Sequence, residues 1–357
     1  MIVTSLTLKN FRNYDELTTE FSPGLNIIVG DNAAGKTNIV EAIQFLSLAR
    51  SFRTSNILDL IKKRREFATI AVTVEQDTIK KDIVAVLAPE GKKITINGKQ
   101  VAKISELAKS INVIIFEPKD TLMFKESPSV RRNFFDINIS KKYPLYLDSL
   151  MVYEKLLKER NQILKEDNVD MLQLDVVTSR MVEVEKTLIE HRKKYVDQIN
   201  EHLSQIISSI RGEDYKARIY YRPFMEIDDD FVSKALGAYK EALQLDLAHK
   251  VTSIGIQRDI YQLYLNGNDI SKSGSQGENR IAAIALKVAP YFLSENSDHP
   301  IVVLDDVMSE LDNEHKDRLI AFLRELDQVF ITSTQTDITN ASIYEVTKEQ
   351  KVIRRNS

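Results

Sequence analysis

Three regimes of hydrophobic and polar patterning follow one another along this chain. Residues 1–30 alternate or run apolar in short stretches, "IVTSLTL" and then "LNIIV" ending at Gly30, and these predict strands. Over 35–49, Ile39, Ala42, Ile43, Leu46 and Ala49 recur at helical spacing and predict a helix with one apolar face. Alternation returns over 67–101 in "FATIAVTVE", "KDIVAVLA" and "KITINGKQV", where Asn97-Gly98 is a two-residue hairpin signal.

The middle of the chain has a different rhythm. Residues 128–211 hold almost no Gly and are rich in Leu, Lys and Glu. Val177, Met181, Val184, Leu188, Tyr195, Ile199, Leu203, Ile206 and Ile210 keep three- and four-residue steps, interrupted at His191. They predict one helix of about 35–40 residues, roughly 55 Å long. Residues 129–165 offer an antiparallel partner, with a turn near "KEDNVD". After Gly212 strand patterning returns in "YQLYLNGNDI", with a second Asn-Gly hairpin at 266–267. "PIVVLDD" (300–306) and "QVFITST" (328–334) are apolar on both faces, as central strands of a covered parallel sheet are, with a helix between them.

Composition narrows the classes. A chain of 357 residues can form two or three domains, or one domain with an insertion. It contains no Cys, which removes disulfides, thiolate metal sites and Cys nucleophiles and suits a reducing cytoplasm. Its longest apolar runs fall far short of the twenty or so residues that cross a bilayer, so a soluble cytoplasmic protein without a membrane partner is expected. The net charge of −3 gives no bulk argument for binding nucleic acid. That role would rest on local basic groups such as "KKRR" (62–65), Arg131–Arg132, Lys141–Lys142 and "RKK" (192–194), which ordinarily are solvated faces.

Against this background two segments carry chemistry. "GDNAAGKT" fits G-x-x-x-x-G-K-[ST] between a predicted strand and a predicted helix. Gly30 and Gly35 let the backbone close around a phosphate, and the N–H groups across Asp31, Asn32, Ala33 and Ala34 cradle it. Lys36 supplies a point charge for the β/γ oxygens, and the Thr37 hydroxyl is a Mg²⁺ ligand. "IVVLDD" is the matching Walker B half: Asp305 ends a buried strand and can hold Mg²⁺, while Asp306 is placed to orient an attacking water. A third segment, "SGSQGENR" (273–280), puts Ser275 and Gly277 where a helix begins, which is how a helix N-terminus receives an anion.

Together these segments resemble the ABC ATPase superfamily and, within it, the SMC-like branch of DNA-repair ATPases. "SQGEN" resembles its signature motif, with Gln276 where a Gly is usual, and "SELD" (309–312) resembles its D-loop. "LKNFRNY" (8–14), "RSFRTS" (50–55), "FEPKD" (116–120), "SPSVRRNFFD" (127–136) and "LDDVMSELD" (304–312) are similar to the RecF family of recombination mediators. The resemblance implies an α/β fold: an ABC-type P-loop ATPase head with a mixed or parallel sheet and an inserted α-helical arm. Residues 1–115 and 285–357 would form the lobe with Walker A, Walker B and D-loop. Residues 116–284 would form the second lobe, with the arm at about 128–211 and the signature motif.

The same resemblance implies a function. Ser275 and Gly277 of one copy would grip the ATP held by Gly30–Thr37 of another, with Lys36, Asp305 and Asp306 as catalytic residues and Thr37 and Asp305 on Mg²⁺. The family binds single-stranded and gapped duplex DNA, works with RecO- and RecR-type mediators to load recombinase, and serves replication-fork maintenance and SOS induction. Several departures from the wider superfamily imply slow, switch-like turnover by a weak, DNA-stimulated ATPase. Asp306 stands where most ABC ATPases carry Glu. "ITST" offers Thr332, Ser333 and Thr334 where they carry His, "FEPKD" occupies the Gln-loop region, and the family's "GPHRDD" is reduced to "GIQRD" (255–259). Arg12, Arg50 and Arg53 are candidates to reach nucleotide or DNA. A transporter ATPase subunit and an ATPase–nuclease component are the alternatives.

Overall fold

The structure, a computed structural model, describes residues 1–294, 298–334 and 338–355, apart from the side chains of 104, 105 and 310. The chain divides into two compact units: Met1–Thr121, Gln205–Asp214 and Arg280–Ser357 in the first, Leu122–Ser204 and Tyr215–Asn279 in the second. Residues 205–214, of which 205–211 were expected in the arm, fall in the first unit.

Unit 1 contains two sheets. One is antiparallel throughout: β1 (Ile2–Phe11), β2 (Tyr14–Glu20), β4 (Ala68–Gln76), β5 (Ile79–Ala88), β6 (Gly91–Ile96) and β7 (Lys99–Gln100), in the order β2-β1-β4-β5-β6-β7. Asn97 and Gly98 both have positive φ at the β6–β7 turn, as a type I′ hairpin requires. The other sheet takes β3 (Gly24–Val29), β8 (Val113–Phe116), β12 (Ile301–Leu304), β13 (Gln328–Ser333), β14 (Ser342–Val346) and β15 (Val352–Arg355), in the order β15-β14-β3-β13-β12-β8. All its pairings are parallel except β14–β15. Every residue of β12 and β13 is buried, the burial expected of a parallel core. The unit also holds the short α2 (Ile104–Ala108) and α9 (Asn313–Leu323), which starts at Asp312, whose side chain accepts from the His315 N–H.

Helix α1 (Lys36–Leu48) departs from expectation. A helix with one apolar face was predicted, yet every residue from Ile39 to Ser47 is buried. Its apolar side chains share one core with Leu6, Leu8 and Val72 of the antiparallel sheet and with Ile28, Val303 and Phe330 of the parallel sheet. A helix packed on several sides buries polar positions too, and Glu41 is one of them.

Unit 2 is built on helices. The partner segment, expected at 129–165, consists of two helices, α3 (Pro128–Lys142) and α4 (Pro144–Ile163). The break is at Tyr143, whose extended backbone (φ −121°, ψ 100°) is what a following proline imposes. Helix α5 (Met171–Arg211) has 41 residues, slightly more than expected. It runs antiparallel to α4: Arg160 meets Thr178 near the turn, and Tyr143 meets Gln198 far from it. The unit continues with β9 (Ala217–Arg222), α6 (Phe231–His249), β10 (Ile260–Leu265), β11 (Asn268–Asp269) and α7 (Ile270–Ser273). Helix α8 (Gln276–Val288) begins in unit 2 and ends in unit 1.

Two buried arginines fasten unit 2. Arg192 donates to both carboxylate oxygens of Asp136 on α3, to Asp259 (2.7 Å), to the Ile256 carbonyl and to the Tyr146 hydroxyl on α4. Asp259 in turn accepts from the Tyr221 hydroxyl and the Phe224 N–H; burial raises its pKa, and Arg192 opposes that rise. Arg160 donates to Asp246 (2.7 Å), Thr178 and Thr252. The "GIQRD" stretch is therefore a framework of this unit. Beside it, burial raises the Glu185 carboxyl to about 7, with the Tyr239 hydroxyl as its closest opposing hydrogen bond.

Candidate nucleotide site

The Gly30–Thr37 loop leaves β3 and enters α1 at the end of the parallel sheet. At Gly30 φ is +154°, and a Cβ there would come within 2.6 Å of the Val346 carbonyl oxygen. At Gly35, φ is +115° and a Cβ would lie 2.7 Å from the Asn13 amide nitrogen and 2.8 Å from the Tyr14 hydroxyl. Both positions exclude a side chain on two counts, conformation and space. Ala33 is also left-handed, at φ 65°. Tyr14 and Asn13 hold the turn from outside, donating to the Gly35 and Ala34 carbonyls.

Lys36 lies along the loop it follows. Its Nζ donates to the Gly30 (2.7 Å) and Asp31 (2.9 Å) carbonyls. Burial draws its pKa down, and the charges of Asp306, Asp305 and Asp31 oppose that. Asp305, at the end of β12, is 6% exposed and accepts from the Thr37 hydroxyl at 2.9 Å. Burial raises its pKa; the hydroxyls of Thr332 and Thr37 and the charge of Arg53 work against the rise. The structure thus brings Lys36, Thr37, Asp305 and Asp306 to one place from segments some 270 residues apart.

Thr332, at the position read only as a departure from a switch histidine, is an integral member of this cluster. Its hydroxyl donates to Asp305 Oδ1 (2.7 Å) and accepts from the Asp306 N–H (2.9 Å). One buried hydroxyl thereby fixes the Asp305 carboxylate and the backbone of its neighbour. Asp306 itself is exposed, with a left-handed backbone at φ 51°. The oxygen donors here suit a hard cation such as Mg²⁺, which binds through one or two protein oxygens and completes its shell with water and phosphate. No group of three or more His, Cys, Asp or Glu residues arranged for a metal occurs among the described residues, so an ion here would depend on that shared coordination.

Two of the three candidate arginines are committed to structure. Buried Glu41 accepts from Arg12 Nε (2.8 Å) and Nη2, from Arg53 Nη1 (3.2 Å) and from the Ser51 hydroxyl. Arg53 also donates to Asn38 Oδ1 (2.8 Å). Arg50 is exposed. Of the basic runs, Arg131 donates to the carbonyls of Tyr261 and Met123, Arg132 to that of Asp259, and Arg192 is internal, so these are framework groups. In "KKRR", Lys62 and Arg65 both pair with Asp15.

"FEPKD" continues β8 into a short turn: the Asp120 carboxylate accepts from the Glu117 N–H and pairs with Lys287 of α8 (2.8 Å). Its backbone reaches the acid pair directly, because the Asp305 N–H donates to the Phe116 carbonyl. Burial raises the Glu117 pKa. At the other motif, Ser275 Oγ accepts from the Glu278 N–H while Glu278 Oε2 accepts from the Ser275 N–H, a reciprocal capping box at the start of α8. Asn279 fastens the turn by donating to the Gly274 and Ser275 carbonyls. Ser275, Gln276 and Gly277 are exposed, and a Cβ at Gly277 would meet nothing within 4 Å.

Comparison with known proteins agrees with this geometry. The family model described as the RecF/RecN/SMC N terminal domain matches residues 2–354. The DNA replication and repair protein RecF of Halalkalibacterium halodurans is 34% identical, covering 97% of this chain and 98% of its own. The chain belongs to the RecF family. The RecF of Bacillus subtilis is likewise 34% identical, with 94% of each chain covered. A solved RecF–ATP structure, of the recombination mediator in the RecFOR pathway, has a TM-score of 0.88 at 30% identity over 99% of this chain and 97% of that one. An Smc head domain from Pyrococcus furiosus, at TM-score 0.60 and 20% identity, shares the fold. The fold is the ABC-type ATPase head of RecF and SMC proteins, mixed α/β as expected. No helix among the described residues is long and apolar enough to cross a membrane.

Proposed function

We propose that this chain is an ATP-dependent DNA-binding protein of replication and recombinational repair. Two copies would close on gapped or single-strand–double-strand junction DNA when ATP joins them. The observation that carries the reading is the hydrogen-bonded row Thr37–Asp305–Thr332 beside the glycine loop and Lys36. Relatives named for DNA replication and repair, and a RecF–ATP structure of the RecFOR pathway, support it. The transporter and nuclease alternatives have no such support.

In this reading ATP lies along Gly30–Thr37, and Lys36 exchanges its two carbonyl partners for β/γ-phosphate oxygens. Thr37 and Asp305 would hold Mg²⁺, which neutralises phosphate charge. Ser275 and Gly277 of the second copy meet the γ-phosphate at an exposed helix start already shaped by its capping box. Asp306 orients water, and hydrolysis is slow enough to serve as a release signal. RecO- and RecR-type proteins would be the partners, with replication-fork maintenance and SOS induction as the setting. Since the γ-phosphate is the group lost, dimerisation follows the state of the nucleotide.

Light scattering tests this. The wild-type chain should double its mass in saturating Mg·ATP. Ser275→Arg should bind ATP normally and remain single, because the long cation obstructs the exposed turn. If Ser275→Arg still pairs with ATP, the assignment across two copies is wrong. A second expectation concerns hydrolysis. Thr332→Val removes a hydrogen bond to a carboxylate and strands the Asp306 N–H, at about 1.5–3 kcal/mol. Turnover should fall about tenfold or more with ATP affinity little altered, and Thr332→Ser should recover it. Equal turnover in the Val and Ser variants would remove Thr332 from the mechanism.

A further inference from the structure

The outward face of the β9–β10 sheet in unit 2 gathers cationic and aromatic side chains. Alternation along β9 sends Ala217 and Ile219 into the core and leaves Arg218, Tyr220 and Arg222 exposed. Lys216, immediately before the strand, is exposed as well. On β10 the same face carries Tyr264, directly opposite Arg218, and Gln262, opposite Tyr220. The Tyr220 and Tyr264 rings meet edge to face at 5.0 Å, and the Arg218 guanidinium lies 5.7 Å from the Tyr220 ring centre.

Two features say how this face is used. First, the free edge of β9 is closed: Asn200 on α5 exchanges hydrogen bonds with both backbone groups of Ile219, and Ser204 does the same with Ala217. An added strand has nothing to pair with there, which leaves side chains as the contact surface. Second, a cleft of about 340 Å³ is lined by Asn200, Ser204, Lys216, Arg218, Tyr220 and Tyr264. That is in the range of sites for small planar groups, roughly 300–1,000 Å³. Lys216, Arg218 and Arg222 make no ion pair among the described residues, although the chain as a whole is acidic.

From these observations we infer that the β9–β10 face is a docking surface for a single strand of DNA. Phosphates would lie against Lys216, Arg218 and Arg222, and an unpaired base would stack on Tyr220 beside Tyr264. The inference deepens the DNA-binding reading and rests on it. Charge complementarity alone would suit any polyanion. The half-exposed Tyr220 ring selects one whose bases are free to stack, which a duplex does not offer.

The chain has no Trp, so Tyr220→Trp places a single indole reporter on the surface. Tyr220 is 46% exposed, and the change requires no repacking of the core. Oligo(dT) should quench this indole, with a log–log salt slope of about −2 for three phosphate contacts at ~0.7 each. Arg218→Gln with Arg222→Gln should lower the slope to about −0.7. Tyr220→Ala with Tyr264→Ala should weaken oligo(dT) about tenfold or more and leave ATP-dependent binding of blunt duplex unchanged. An abasic oligomer of equal length should bind more weakly and leave the indole bright. The inference is overturned if labelled oligo(dT) binds while the indole stays bright and the double variants behave as wild type; the DNA reading would then stand. It is also overturned if polyglutamate quenches as strongly as oligo(dT). If the wild-type chain binds no DNA of any form with ATP, the DNA reading itself fails and this surface fails with it.

Discussion

Lys36→Ala is expected to lower ATP affinity about a hundredfold or more, leaving the fold intact. Among the described residues its ammonium group has only loop carbonyls as hydrogen-bond partners, Gly30 and Asp31, which phosphate oxygens would replace. Two charge-assisted hydrogen bonds at about 1.5–3 kcal/mol each correspond to at least two orders of magnitude in binding. The side chain is only partly buried, so its removal opens no core cavity. Calorimetric titration with ATP, alongside thermal unfolding in its absence, separates the two consequences. Affinity within threefold of wild type would mean that the loop amides alone hold the phosphates.

The largest effect on stability is expected at Arg192. Arg192→Met keeps most of the stem but leaves Asp259 and Asp136 without their cation, and Asp259 is fully buried. Breaking one side of a buried ion pair typically costs about 3–5 kcal/mol. Urea unfolding should therefore lose that much, and the loss should fall on unit 2, whose α3, α4, α5 and "GIQRD" segments all meet at this guanidinium. Adding Asp259→Asn to Arg192→Met should restore part of the loss, since the stranded charge is then removed. A double variant weaker than the sum of the single ones would point to packing rather than charge.

How much was legible in the sequence depended on how local each feature is. The glycine loop with its strand and helix is contiguous, and β12 and β13 announce themselves as short runs with no polar residue facing solvent. The Asn-Gly hairpins follow from the same logic. Helix α6 escaped notice because its buried positions are Phe231, Ala235, Tyr239 and Asp246, a stripe including one small residue and one acid. Strands β14 and β15 are short and only partly buried, and β9 presents Arg218, Tyr220 and Arg222 at alternate places. At the site, Lys36, Thr37, Asp305 and Asp306 were identifiable from spacing. The role of Thr332 was not, because its partners lie 26 and 27 residues away and a threonine within a strand carries no signal of its own. Likewise nothing local marks Arg12 and Arg53 as partners of Glu41, a buried acid on α1 that comes from a separate segment.

The left-handed backbone at Asp306 bears on which acid can stand there. Among side-chain-bearing residues, Asp and Asn enter that region most readily, while longer side chains incur about 1–2 kcal/mol. A glutamate would meet that cost at a peptide whose N–H already donates to the Thr332 hydroxyl. The handedness of a single residue thus favours the shorter acid at this place.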